Sequence, residues 1–334
     1  MALELRTRVT ELLGSEYPIV MGTMGYQSNA ELVAAAVNAG AFACLASAMF
    51  RSGNALRAEI RRTRSLTDRP FGLNINLFPM VAPISNEEYL GVALEEGIRV
   101  IETSGRNPEP LVGLIKQGNA RMMHKCVSAR HARTAERLGA DVIEIVGYEA
   151  AGHPGRDPIG TMVLIPSVVD AVGIPVVAGG GIADARGVLA AFALGAEGVL
   201  MGSRFLATLE CPIHPGVKKR LLEAAETDTT LTLYSKGDPM RALRNQLTER
   251  IQDMEKRGAS WAEVIDLIGG GKGKKALAAG EADSTLVSCG QAVGLIHDIP
   301  SIRELLENIV RDAAMICQRL GTGAARVGSN PAPA

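Results

Sequence analysis

The residues best suited to chemistry lie between Pro175 and Leu206. The run Pro-Val-Val-Ala-Gly-Gly-Gly-Ile-Ala-Asp is followed by a helix-like segment and then Gly-Val-Leu-Met-Gly-Ser-Arg-Phe-Leu. Two short β-branched runs end in glycine, and an acidic helix start follows the first. Without a Cβ the backbone comes close to an anion, and free N–H groups at a helix start point toward it. Gly179, Gly180, Gly181, Gly202 and Ser203 therefore form a candidate phosphate cradle. The plain alternative is a pair of tight strand–helix turns that hold nothing.

Other polar side chains sit where apolar runs end. Asn74 and Asn76 lie in Gly72-Leu-Asn-Ile-Asn-Leu77, and Lys125 in His124-Lys-Cys126. An amide can pair with ring carbonyl and N–H groups, and a lysine can neutralise charge on a reduced ring such as isoalloxazine. Together with a phosphate cradle they suit a flat, polar-edged, phosphorylated cofactor. A satisfied amide in a barrel interior is the equal alternative for either asparagine. Pleat alternation points His124 and Lys125 opposite ways, and Lys125 is the one expected at the site. His153 stands between Gly152 and Pro154, outside any periodic apolar face. An imidazole there is free to meet a substrate near its working pH, or it is a surface residue without a role. No His, Cys, Asp and Glu set has metal-ligand spacing, and no G-x-S-x-G elbow occurs.

These residues need a frame that brings distant chain ends together. Strand-length apolar runs are expected at Pro18–Gly22, Ala41–Ser47, Phe71–Leu77, Arg99–Ser104, Arg121–Cys126, Asp141–Gly147, Pro175–Gly180 and Gly198–Phe205. Helical patterns lie between them, at Ala30–Ala39, Ala55–Ser65, Glu87–Glu96, Pro110–Gln117, Ala129–Leu138, Met162–Val172 and Ala185–Leu194. Such an alternation predicts an α/β fold, a (β/α)8 TIM barrel, with its site at the C-terminal strand ends. A doubly wound open sheet is the second choice. After Phe205 the rhythm breaks into helical stretches near Val217–Glu226 and Pro239–Arg257, and a basic loop at Gly269-Gly-Gly-Lys-Gly-Lys274. A final helix over Ser301–Leu320 is expected to close the barrel. The expected division is a discontinuous barrel, residues 1–208 and 284–334, with a mainly helical cap, 209–283, over its C-terminal mouth. Residues 321–334 read as frayed.

Composition narrows the function. With 35 basic and 36 acidic side chains in 334 residues, the chain offers no electrostatic case for nucleic acid or an anionic membrane. The charged N-terminus reads as no secretory signal, and no apolar run has the roughly 20 residues of a membrane span. Cys44, Cys126, Cys211, Cys289 and Cys317 are dispersed and odd in number, which fits free thiols in the cytoplasm. A small-molecule substrate is the expected partner, with a homodimer the one assembly considered.

The runs Gly22-Thr-Met24, His124-Lys-Cys126, Glu149-Ala-Ala-Gly-His-Pro-Gly155, Ala178-Gly-Gly-Gly-Ile-Ala-Asp184 and Met201-Gly-Ser-Arg-Phe205 resemble the nitronate monooxygenase (2-nitropropane dioxygenase) superfamily of FMN-dependent barrels. The resemblance implies FMN held by Gly22, Thr23, Met24, Asn74, Lys125, Gly152, Gly180, Gly181, Gly202 and Ser203, with His153 as the active-site imidazole. Gly-His-Pro-Gly followed by Arg-Asp, together with Glu210-Cys-Pro-Ile-His-Pro-Gly-Val-Lys218, looks most like its NADH:quinone reductase branch. The loop Gly22-Thr-Met-Gly-Tyr-Gln27 departs from that branch. The expected reaction is therefore hydride transfer from NADH or NADPH through FMN to a quinone or similar electron-poor acceptor. Alternatives are oxidation of alkyl nitronates with O2, reduction of enoyl thioesters, and a non-redox phosphate-binding lyase or isomerase.

Overall fold

The computed structural model describes residues 5–78, 84–237, 239–268 and 271–321. Eight parallel strands close into a barrel in chain order: β1 (Ile19–Met21), β2 (Phe42–Ala46), β3 (Gly72–Asn76), β4 (Val100–Ser104), β5 (Arg121–Cys126), β6 (Val142–Val146), β7 (Val176–Gly179) and β8 (Gly198–Met201). Closure is made by β8 against β1, with Met21 beside Met201. Side-chain alternation sorts each strand into two layers. Ile19, Leu45, Leu73, Ile101, Ile143 and Val199 face the helices. Val20, Phe42, Val100, Met123, Val142 and Val177 fill the interior, where Val9 and Leu13 of the helix Arg8–Leu13 join them. That helix, not expected from the sequence, is bound near the start of β8 by Thr7, whose hydroxyl donates to the Glu197 carbonyl at 2.7 Å, and by the Arg8–Glu197 ion pair.

Helix starts follow from side chains that satisfy orphan N–H groups. Asn29, Ser52, Ser85 and Ser128 each accept a hydrogen bond from a first-turn amide. Asp184 does the same for Arg186 and Gly187, so the acidic residue after the three glycines starts a helix rather than meeting a ligand. The last helix, Ile302–Gly321, packs against the helices Ala185–Ala193 and Ala30–Asn38 and completes the outer ring.

Three expectations change. The eighth strand ends at Met201, and Ser203–Leu206 is a helical turn whose Phe205 amide bonds back to the Gly202 carbonyl at 3.0 Å. The expected helix Pro239–Arg257 is instead a strand and a helix: β10 (Met240–Leu243) pairs antiparallel with β9 (Thr229–Thr232), and the helix Gln246–Lys256 begins only after Asn245. Asn245 is responsible, because its side chain accepts from the Thr248 amide at 2.8 Å while donating to the carbonyls of Ala282 and Thr285. Lys272 and Lys274, expected in a basic loop, lie in the helix Lys272–Ala279; residues 269 and 270 of that loop fall outside the described residues. Residues 322–334, expected to fray, fall outside them too. Within the segment 209–283, Val217 and Leu221 pack into the barrel's main core, whereas Leu233, Ile251 and Val264 form a small cluster of their own.

Two predictions follow from this packing. A Cβ at Gly72 would stand 2.6 Å from Cys44 Sγ and 2.9 Å from the Val100 carbonyl oxygen. Gly72→Ala should therefore destabilise the barrel by about 1–3 kcal/mol, read as a lower urea midpoint with an unchanged slope. His124, on the helix-facing side of β5, holds Nδ1 2.8 Å from Thr103 Oγ1. Burial, with lesser repulsion from His131 and Lys125, lowers its pKa from 6.5 to about 4. Between those values the unfolded chain binds a proton that the folded chain does not, so stability is full above the upper value and falls below it. His124→Gln should remove that loss, about 3 kcal/mol at most, and flatten denaturation midpoints measured across the window.

Candidate active site

The glycine-rich ends of β7 and β8 lie side by side at the C-terminal face. Gly180 and Gly181 have φ of +102° and +71°, a left-handed turn that carries the chain from β7 toward Asp184. A Cβ placed on Gly202 would meet nothing within 4 Å, and one on Gly181 only the Glu149 side chain at 3.7 Å. Gly22, after β1, donates its amide to the Met201 carbonyl at 2.9 Å and so adjoins Gly202. The Ser203 hydroxyl, buried beside them, accepts from the Gly290 amide at 2.8 Å. These strand ends leave side-chain-free space beside a hydroxyl that still has its proton to donate. Glycine backbone and a hydroxyl around open space make a lining of the chemistry a phosphate group needs.

Below this opening the barrel interior turns from apolar to charged. Lys125 Nζ lies 2.5 Å from Glu102 Oε1 on β4 and 3.5 Å from Glu144 Oε2 on β6. Thr23, in the loop after β1, donates its hydroxyl to the other Glu102 oxygen at 2.5 Å. The Lys125 side chain is 20% exposed, against 1% for Glu102 and none for Glu144, so it is the most accessible member of the three. Burial pushes the Glu102 carboxyl up, but Lys125 outweighs it and the group ends below the ordinary range. Burial and then repulsion by Glu102 raise Glu144 to about 8. Burial alone would lower Lys125, yet the two carboxylates hold it well above the ordinary lysine value. Asn74, buried on β3, donates to Ser104 Oγ at 3.3 Å.

His153 lies on the loop after β6, its ring 4.5 Å from that of Phe78 and tilted by 42°. Arg106 stands over the Phe78 ring, 5.7 Å from its centroid. The backbone beside His153 is fixed by the inserted hairpin: Gly152 and Arg241 exchange both backbone hydrogen bonds, at 3.1 and 2.6 Å. Arg241 then donates to the Tyr148 carbonyl and to Thr229 Oγ1 and stacks over the Tyr148 ring. Glu149 accepts the Thr161 amide, and the Thr161 hydroxyl, 2.8 Å from Glu149 Oε2 and 3.0 Å from the Gly180 carbonyl oxygen, divides its one proton between them. One hydrogen-bonded chain therefore runs from the His153 loop to the glycine cradle.

The expected site residues thus fall into a cradle (Gly22, Gly180, Gly181, Gly202, Ser203), an interior polar wall (Thr23, Asn74, Lys125) and a loop over the mouth (Gly152, His153). Met24 packs its side chain against the main core and donates its amide to Ser28 Oγ at 2.9 Å. Sequence reading placed Glu102 at the end of the fourth strand without a role, and passed over Glu144 and Arg241. The signal for the first two was an acidic residue interrupting a Val/Ile run, as in Val-Ile-Glu-Thr-Ser and Val-Ile-Glu-Ile-Val. Among the described residues no group of His, Cys, Asp and Glu is arranged to hold a metal, and no helix is long and apolar enough to cross a membrane.

Known proteins share both frame and motifs. The family profile for nitronate monooxygenase matches residues 6–312. A Mycobacterium tuberculosis protein named as a 5-hydroxy-7a-methyl-1-oxo-octahydro-1H-indene-4-carboxyl-CoA dehydrogenase is 34% identical, over 93% of this chain and 97% of its own. The structure of FabK from Thermotoga maritima superimposes with a TM-score of 0.87 at 35% identity, covering 95% of this chain and 99% of that one. Nitroalkane oxidase from Streptomyces ansochromogenes follows at a TM-score of 0.79 and 26% identity, with 94% and 100% covered. The chain belongs to the nitronate monooxygenase family, and is an enzyme of the oxidoreductase type on a TIM barrel.

Proposed function

We propose that the chain is an FMN-dependent oxidoreductase acting on a carbon–carbon bond beside the carbonyl of an acyl thioester, with NADH or NADPH as electron donor. The observation that carries this reading is the joint placement of the side-chain-free cradle at Gly181 and Gly202 and the imidazole of His153 above one mouth. Bound there, FMN would supply the hydride exchange at its ring nitrogen. Gly22, Gly180, Gly181, Gly202 and Ser203 would hold its phosphate. Asn74 and Lys125 would face the polar edge of its ring.

His153 would hold or give the proton at the carbon next to the thioester carbonyl. Its loop is fixed by the Gly152–Arg241 backbone pair and its ring rests on Phe78, so the imidazole is oriented before substrate arrives. The hairpin β9–β10 meets this loop through Arg241 and would help to shield the reacting atoms from water. A thioester is favoured over the quinone suggested by the Gly-His-Pro-Gly motif because a relative matched over nearly its whole length is named for a carboxyl-CoA substrate.

The test is anaerobic mixing of the purified protein with NADH or NADPH, followed by an enoyl thioester, a quinone or an alkyl nitronate. Bleaching by the nicotinamide and recolouring by the thioester is the expected result; recolouring by quinone alone, or bleaching by nitronate alone, would replace it. Released cofactor should chromatograph as FMN and not FAD. Gly202→Leu should leave a folded, colourless protein, because the new side chain occupies the cradle. His153→Asn should keep its flavin and its reduction by NAD(P)H while slowing the oxidative half-reaction by about 10²–10⁴-fold.

A further inference from the structure

We propose that Glu144 is a positioning residue that carries a proton at neutral pH, and thereby fixes the net charge of the cluster that holds Lys125. The part of this that concerns a bound ring rests on the FMN reading above; the proton on Glu144 does not.

The argument begins with charge. Glu102, Lys125 and Glu144 come from three adjacent strands and point into one enclosed space, with Lys125 in register beside Glu144. Fully ionised, they sum to one negative charge inside the barrel. A buried unbalanced charge is costly, and a carboxyl in that position neutralises instead. Hydrogen bonding points the same way. Treated as an acceptor-only carboxylate, Glu144 has no hydrogen-bond partner at either oxygen, although both are fully buried. A proton on Glu144 removes the uncompensated charge from those two buried oxygens and relieves their repulsion with Glu102.

The proton falls to Glu144 because Glu102 holds the better set of partners: Lys125 at 2.5 Å and the Thr23 hydroxyl. Lys125 stands a full ångström farther from Glu144. The remaining groups facing the cluster do not supply a compensating charge. From β2 comes Cys44, whose thiol is pushed well up by burial and then by both carboxylates, and so stays neutral. From β3 comes the uncharged Asn74, and from β1, β7 and β8 come Val20, Val177 and Leu200.

Glu144 is raised to about 8, chiefly by burial and then by Glu102. In mildly alkaline solution its O–H bond therefore breaks, the proton leaves to solvent, and the cluster passes from neutral to singly negative. Any anionic ring held above Lys125 is then opposed by one more charge. Reduction of the bound ring should become harder as pH rises through that value.

Infrared spectra of the wild-type protein as purified, titrated from neutral to alkaline pH, test the proton directly. A buried carboxylic-acid C=O band should fade through about pH 8 and should be missing in Glu144→Gln. In Glu102→Gln the band should already be lost at neutral pH, since Lys125 then pairs with an ionised Glu144. Absence of the band in wild type, or its persistence in Glu144→Gln, would overturn the assignment. The midpoint potential of the bound flavin tests the consequence. Wild type should gain the pH dependence of one further coupled proton above about pH 8, and Glu144→Gln should match it at neutral pH but lack that extra dependence. Retention of the dependence in the variant would refute the charge-setting role. A protein that purifies without flavin and fails to take up FMN would overturn the cofactor reading, while the infrared titration would still decide the proton.

Discussion

The ammonium of Lys125 between Glu102 and Glu144 is the contact around which the molecule is arranged. A (β/α)8 barrel is held by a filled interior, and the N-terminal half of this one is filled conventionally by Val20, Phe42, Val100, Met123, Val142 and Val177 under a plug of Val9 and Leu13. Nearer the mouth that packing gives way to ions. A charged layer there adds little stability, because desolvation of each ion offsets the attraction between them. The apolar layer below must therefore carry the fold, which leaves the charged layer to hold a lysine at one position and one protonation state.

No two members of that cluster are close in sequence. Thr23 follows β1, Glu102 lies on β4, Lys125 on β5 and Glu144 on β6, so the contacts exist only once the barrel has closed. The same holds for the mouth. His153 sits on the loop after β6, but its backbone is fixed through Gly152 to Arg241 on a hairpin nearly ninety residues later. A loop alone would sample many conformations; a loop that shares a backbone ladder with a separate small sheet does not. Rigidity at the imidazole thus comes from the inserted segment, and Arg241, buried and spent on Tyr148 and Thr229, is its fastening.

Much of this was legible residue by residue. The strands could be placed because parallel barrel strands are buried on both faces and read as Val/Ile runs. Strict alternation along β5 also separated His124, bonded to Thr103 in the helix layer, from Lys125 inside. The carboxylates escaped because their meaning depends on register. Glu102 and Glu144 matter only because neighbouring strands bring them beside Lys125, and a single strand's sequence carries no register. The strand Met240–Leu243 escaped for another reason. Four residues leading into a strong helix share its apolar pattern, and only Asn245, as the cap, marks the break. Ser203–Phe205 was read as a continuation of the eighth strand where the chain already turns as helix.

The division of labour within the barrel also explains how relatives of such different names share one frame. The cradle at β7 and β8 and the charged layer at β4 to β6 belong to strand ends, whose geometry is set by barrel closure. Phe78, which touches His153, Arg106 over the Phe78 ring, and Tyr148 under Arg241 all lie on loops outside the sheet. Those loops can change length and side chain without moving a strand, so a new acceptor requires no change in the layer that fixes the charge of Lys125. Substrate choice is then a property of the loops and of the hairpin that fastens one of them. The electrostatic setting of the ring site is a property of the closed barrel beneath.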